Sequence, residues 1–168
     1  MPLSHRCITK GYAPTSTGRR RRAVGLALGS AILGCAVSSE NIELVRRALE
    51  AFNSGVSALP DFWAEDAEVW PAPGFPEGGP FRGREQIQRF FDGLLEGWQP
   101  DTTVVVPREF GEAGDKVLVS YEWRGTGEAS GLETSSDWMA VCTVRSDEIV
   151  RLEFFNERDA AINAAGLK

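Results

Sequence analysis

The chain has 168 residues, of which 42% are apolar, 25% charged and 10% aromatic, with three cysteines, one histidine and five tryptophans. This suffices for one domain with its own core, excludes a disordered chain, and leaves no apolar run long enough for a membrane span. The net charge of −6 is unevenly spread: residues 1–39 carry Arg6, Lys10 and Arg19 to Arg22 with no acid, while residues 40–168 hold twelve basic against twenty-four acidic residues, a balance that repels phosphate backbones and argues against nucleic acid as a partner.

Residues 1–37 read as a basic leader, distinct from a domain over residues 38–168. Arg19-Arg20-Arg21-Arg22 precedes the apolar run Ala23 to Gly34, the layout of a secretory signal, and consecutive arginines also suggest twin-arginine export. Ile32-Leu33-Gly34-Cys35 resembles a bacterial lipobox, in which Cys35 would be lipidated and anchor the protein. An organelle transit peptide fits the same composition. A second reading stands beside export: Ser38-Ser39-Glu40-Asn41 runs straight into a helix, so that translation starting near Val37 would give a cytoplasmic protein. The domain itself holds only Cys142, which excludes an internal disulfide.

From Glu40 to Asn53, Ile42, Val45, Leu49 and Phe52 recur at helical spacing, with Ser39 as N-cap, Glu40 and Glu43 at the positive end of the dipole, and Asn53-Ser54-Gly55 as the stop. A short second helix is expected around Pro60 to Ala64, then a brief strand at Ala67 to Trp70 and a Pro/Gly loop from Pro71 to Gly83. Ile87, Phe90, Phe91, Leu94, Leu95 and Trp98 form a continuous helical stripe that must be buried.

Beyond Pro100 the period changes to two. Thr102 to Phe110 is extended, Gly111 to Asp115 turns, and Lys116 to Arg124 alternates, with Val117, Val119, Tyr121 and Trp123 facing one way and Leu118, Ser120, Glu122 and Arg124 the other. Strands follow at Leu132 to Arg145 and Glu148 to Phe155, and a last helix at Ala160 to Ala165 stops at Gly166. The order ααβαββββα predicts an α+β fold with helices on one face of a curved antiparallel sheet.

Phe62-Trp63-Ala64-Glu65-Asp66-Ala67, Gly79-Pro80-Phe81-Arg82-Gly83-Arg84-Glu85-Gln86-Ile87 and Ile149-Val150-Arg151-Leu152-Glu153-Phe154-Phe155 resemble SnoaL-like proteins of the nuclear-transport-factor-2-like superfamily, which also holds ketosteroid isomerase. The resemblance covers about residues 38–168. It implies a cone-shaped α+β barrel, a bent sheet wrapped around a long helix, with an apolar pocket open at one end and assembly as a homodimer. Trp63 and Phe91 would then lie deep in the cone. Trp138, Ala140, Cys142 and Val144 would face inward from one strand, and Val150, Leu152 and Phe154 from the last. Ketosteroid isomerase works with an aspartate base and an oxyanion hole of a tyrosine and a protonated aspartate. Here the base position falls on Pro71, the second aspartate on Ala140 and the tyrosine near Arg47, so the resemblance does not carry that chemistry over, nor the acid of SnoaL-like cyclases.

Tyr121 is the remaining inward proton donor and the one weak catalytic candidate; the plain alternative is a core tyrosine with its hydroxyl at the rim. Trp63, Phe91, Val119, Tyr121, Trp123, Trp138, Ala140, Leu152 and Phe154 are candidate ligand contacts, or else the filling of a cone packed shut. Cys142 has no histidine in the domain to activate it and reads as an inert buried thiol. Asp66, Asp137 and Glu153 read as solvated surface, no ligand spacing points to a metal, and no phosphate-binding fingerprint points to a nucleotide, so no cofactor is expected. Three classes follow: a protein that binds or converts a small apolar metabolite, by isomerase, cyclase or hydratase chemistry if it is an enzyme; a non-catalytic module for dimerisation or partner binding through Leu118, Met139, Val141 and Thr143 on the outer sheet face; and the same domain presented as an exported lipoprotein.

Overall fold

Residues 39–76 and 78–167 are described by a computed structural model; the readings of the leader, with Cys35 and Val37, lie outside them. Helix α1 spans Glu40–Ser54, and the Ile42 backbone N–H donates to Ser39 Oγ at 3.2 Å, satisfying one of the free donors of its first turn. Gly55, at φ 126°, ends it. Leu44, Val45, Ala48 and Phe52 form its buried stripe.

The second helix is a 3₁₀ segment, Val56–Phe62, earlier than expected and with Leu59 as its buried residue. Strand β1 runs Trp63–Trp70 and so begins four residues before the expected Ala67, because Trp63 already pairs with Ile149. Within the segment read as a loop, Phe81–Arg82 forms a short strand β2, paired antiparallel with β1. Helix α2 spans Gly83–Leu95 and buries Ile87, Phe90 and Phe91. Its apolar stripe outlasts the helix, for Trp98 lies beyond it, past Gly97 at φ 88°.

Strands β3 (Val104–Ala113), β4 (Lys116–Thr126), β5 (Glu133–Arg145) and β6 (Glu148–Phe155) follow as an antiparallel meander, with helix α3 at Arg158–Ala165. The curved sheet is open, in the order β2-β1-β6-β5-β4-β3. It is mixed rather than purely antiparallel, since β1 runs parallel to β6. Turn residues Ser146 and Asp147 both take positive φ, as a two-residue hairpin requires.

Alternation sorts the side chains. Val117, Val119 and Tyr121 of β4 and Ala140, Cys142 and Val144 of β5 are buried against α1, α2 and β1 in the main core. Leu118 and Val141 point the other way and are buried by Ala161 and Ala165. Helix α3 therefore packs on the opposite face from α1 and α2, against the expectation of helices on one face. The same packing corrects the outer-face reading, because Leu118 and Val141 are covered by the chain itself. A Schellman turn at Gly166 closes α3: the Gly166 N–H reaches Asn163 O at 3.1 Å and the Leu167 N–H reaches Ile162 O at 3.0 Å. The register shifts between Thr143 and Val144, which pair with Arg151 and Ile149. Val150 is thus a bulge residue, and Ile149 takes the inward place expected for it.

Candidate ligand-binding cavity

The concave face of the sheet and the helices laid across it enclose two adjoining spaces. The deep one, about 70 Å³, is walled by Val45, Ala48 and Phe52 of α1, Trp63, Phe91 of α2, and inward residues of β4, β5 and β6. The outer one, about 270 Å³, is the mouth, lined by Phe75, Pro76, Trp98, Trp123 and Trp138 among others. Leu94, Tyr121, Trp123 and Phe154 line both.

Each wall is held by local features. Arg84 Nε donates to the Trp63 carbonyl at 2.7 Å and pairs with Glu148 at 3.2 Å, tying the start of β1 to α2 and β6. The Asn53 side chain donates to Val105 O at 2.9 Å and accepts from Val105 N at 2.8 Å, which clamps the end of α1 to the edge strand β3. Phe52 meets Phe91 and Trp123 with ring centroids 6.0 and 5.5 Å apart, distances at which aromatic pairs add to plain burial. Trp98 lies directly on Gly125, where an added Cβ would come within 2.5 Å of the indole. Backbone bonds from Gln99 N to Thr126 O and from Glu128 N to Gly97 O, both 2.8 Å, fix this flank.

All nine residues expected to face a ligand line these spaces. Trp63, Phe91, Val119, Ala140 and Leu152 border the deep one, Trp138 the mouth, and Tyr121, Trp123 and Phe154 both. Sequence reasoning missed Phe75, an aromatic in the Pro/Gly loop whose ring sits 5.4 Å from Trp138 and 6.1 Å from Phe154. It also missed Ile149, hidden by the bulge, and Trp98, whose helical spacing concealed a role at the rim.

The chemistry of the lining is sparse. Among the described residues, neither space is bordered by Asp, Glu, His, Lys or Arg. Burial pushes the Cys142 thiol up to about 12, and burial, with the Cys142 thiol beside it, pushes the Tyr121 hydroxyl well above its ordinary 10.0. At neutral pH both keep their protons, so Tyr121 can donate a hydrogen bond but is no base. Trp138 Nε1 donates to Ser136 Oγ at 2.8 Å, whereas Trp63 Nε1 and Trp123 Nε1 are shut off from solvent with no partner among the described residues. Ala140 occupies the cavity wall with a methyl group, 2% exposed. Arg47 lies on the exposed side of α1, and Pro71 follows the end of β1 outside both spaces. Asp66 is exposed and paired with Arg145 at 2.9 Å, Asp137 is exposed, and Glu153 pairs with Arg151 at 2.9 Å. Among the described residues no cluster of three His, Cys, Asp or Glu side chains could hold a metal. No helix among them is long and apolar enough to cross a membrane.

The SnoaL-like domain model matches residues 45–152. The chain belongs to the SnoaL-like family. No curated protein matches the sequence. Among solved structures it is similar to TerC co-crystallised with polyporic acid, at 22% identity and a TM-score of 0.62 over 76% of this chain and 98% of that one. It is also similar to Bal32a from a soil-derived mobile gene cassette, at 26% identity and 0.59 over 75% and 95%. A Catenulispora acidiphila protein of ketosteroid-isomerase-like fold, in complex with trimethylamine, gives 19% and 0.60 over 75% and 94%. These likenesses match the cone fold, and the SnoaL-like cavity described above is its concave side.

Proposed function

We propose that this SnoaL-like protein binds a small, flat, apolar metabolite in the cone. One observation carries the reading: the cone is not packed shut, but keeps a deep space of about 70 Å³ and a mouth of about 270 Å³, with walls that are almost wholly apolar and aromatic. Together they approach the size of an ordinary small-molecule site. The tryptophan and phenylalanine rings that line the mouth suit an apolar, aromatic body.

Binding, rather than ketosteroid-isomerase-type proton transfer, is the reading the lining supports. Abstraction of a proton beside a carbonyl needs a base within reach, and the described residues that border the cavity supply none. Tyr121 brings a hydroxyl to the border of both spaces, and it would meet a ligand oxygen as a hydrogen-bond donor. Homodimerisation and a leader over residues 1–37 ahead of the domain are parts of the same proposal.

Native mass spectrometry of the gently purified full-length protein tests it. A discrete extra mass, released by denaturation and absent when the deep space is filled by Ala140→Leu, is the expected result. A bare mass, together with no binding of small aromatic probes at millimolar concentration, overturns the reading. The same spectrum reports monomer or dimer.

A further inference from the structure

The edge of a sheet presents a row of unpaired backbone donors and acceptors, and folded chains guard it. On β3 the guards are visible. The Asn53 side chain takes both the N–H and the C=O of Val105, and Pro107, which has no N–H to offer, stands beside the register shift of the strand. At the other end of the sheet β2 is only two residues long. A third stretch of edge is left open. Strand β6 stops where Phe155 pairs with Met139, whereas β5 begins six residues earlier, at Glu133, and over that length pairs with β4 alone.

Two bonds at the ends of β5 fix the direction of its backbone groups. Leu132 O accepts from Gly127 N at 3.0 Å and Val144 N donates to Asp115 O at 2.8 Å, so the even-numbered residues address the β4 side. The β4–β5 register runs without a shift from Glu133 to Thr143, and the alternation carries through. The N–H and C=O groups of Glu133, Ser135 and Asp137 therefore point to the open side, with no backbone partner there among the described residues. Every residue from Glu133 to Asp137 is exposed, so both faces of the stretch are bare as well, and it contains neither proline nor lysine as a guard.

Charge decides what fits. Glu133, Ser135 and Asp137 lie on the same convex face as Val141. The guanidinium groups of Arg108 and Arg124 on that face are both engaged by Glu122, and neither Glu133 nor Asp137 is in an ion pair among the described residues. A second copy is a poor partner. The two-fold antiparallel pairing that uses all three residues sets Ser135 opposite itself and Glu133 opposite Asp137, like charge against like.

We infer that the open β5 edge from Glu133 to Asp137 takes an extended segment of another protein, antiparallel, with Lys or Arg residues four positions apart. Its backbone completes the ladder, and its two basic side chains, about 13 Å apart in an extended chain, meet Glu133 and Asp137. Main-chain bonds supply affinity in recognition of this kind and alternate side chains supply specificity. Ser136 and Trp138 of the same strand line the mouth, so the added strand runs beside the entrance to the cavity.

The probe is acetyl-Thr-Lys-Thr-Val-Thr-Lys-Thr-amide, titrated into the full-length nitrogen-15 protein. One control is methylated on the backbone nitrogen of the valine, which removes the donor that faces Ser135; another has glutamates for the lysines. The Glu133, Ser135 and Asp137 amide resonances are expected to move downfield with the plain peptide. The methylated peptide is expected to bind at least about tenfold more weakly, the value of one lost hydrogen bond, and the glutamate peptide to show no binding at millimolar concentration. Ser135→Pro removes an edge donor that the β4 ladder does not use, and is expected to repeat the tenfold loss with an unchanged melting temperature.

Equal binding of the plain and methylated peptides would show attraction by charge alone and overturn the inference. No binding of the plain peptide at millimolar concentration would overturn it as well, and in both cases the cavity reading stands. A dimer in sedimentation that Ser135→Pro dissolves would assign the edge to a second copy and refute the choice of partner.

Discussion

Ala140→Leu sets the open cone directly against a packed one. Ala140 is 2% exposed, sits between Val119 and Phe154 in the sheet, and borders the deep space of about 70 Å³. Unfilled apolar volume costs about 24 cal/mol per Å³, so a side chain that fills this space recovers about 1.7 kcal/mol. Overpacking opposes that gain and costs about 1–3 kcal/mol where the added methyls find no room. The graded pair Ala140→Val and Ala140→Leu separates the two. With the space open, urea and thermal unfolding are expected to show both variants more stable than the parent, Leu the more so. The Leu melting temperature should rise by about 7 °C, at about 4 °C per kcal/mol for a domain of this size. The same variant should lose the extra mass in native mass spectrometry. Destabilisation of Leu by more than about 1 kcal/mol, with Val neutral, would mean that the cone is already full and would move the weight to an association module.

Tyr121→Phe removes a hydroxyl that has no hydrogen-bond partner among the described residues, so stability in urea unfolding is expected to change by less than about 1 kcal/mol; a loss of several kcal/mol would reveal a hydrogen bond made by that hydroxyl. Asn53→Ala breaks both bonds to Val105 and is expected to cost about 1–3 kcal/mol in urea unfolding, and no change would show that the clamp on α1 is ornamental. The Cys142 value is raised from 9.0 to about 12, so the folded state keeps a proton that the unfolded chain releases. Stability therefore falls as pH rises above about 9, at up to about 1.4 kcal/mol per pH unit, and Cys142→Ala should flatten that slope between pH 9 and 10. Asp66 is held below its ordinary 3.8 by the hydrogen bond from Arg145 and by its charge, so its contribution is present above pH 3.8 and fades as pH falls through the lower folded value. In carbon-13 titration Arg145→Gln is expected to raise the Asp66 midpoint, and an unmoved midpoint would refute the pairing.

Periodicity made much of this legible. The α1 stripe and the β4 alternation are local patterns whose burial follows from side-chain direction alone. Tyr121, Trp123, Ala140 and Phe154 could be placed on the inward face for that reason. What stayed hidden depends on contacts distant in sequence. The parallel pairing of β1 with β6 joins Val69 to Leu152, and nothing near either residue announces it. The bulge at Val150 exchanges it with Ile149, a shift of the kind that strand alternation is blind to. Packing of α3 on the convex face rests on small residues, Ala161 and Ala165, whose pattern does not say which side of a sheet they will meet. Phe75 and Trp98 reach the mouth from non-helical backbone, where no period exists to aim a side chain. Whether the aromatics fill or merely line the cone is a matter of volume, which no spacing encodes.

The losses and the retained space bear on one another. Where the resemblance to ketosteroid isomerase would put a second aspartate there is a methyl group, and where it would put a tyrosine stands Arg47, on the exposed side of α1, while Val45, Ala48 and Phe52 face the cavity. A carboxyl buried at Ala140 would have to stay protonated or bring a partner, and the residues around it could supply neither charge nor water. Its absence leaves a cavity cheaper to bury and tolerant of a neutral guest. The empty volume still costs about 1.7 kcal/mol of a total that is typically about 5–15 kcal/mol, and one leucine at Ala140 would recover it. A domain used solely to hold two chains together gains nothing from that cost.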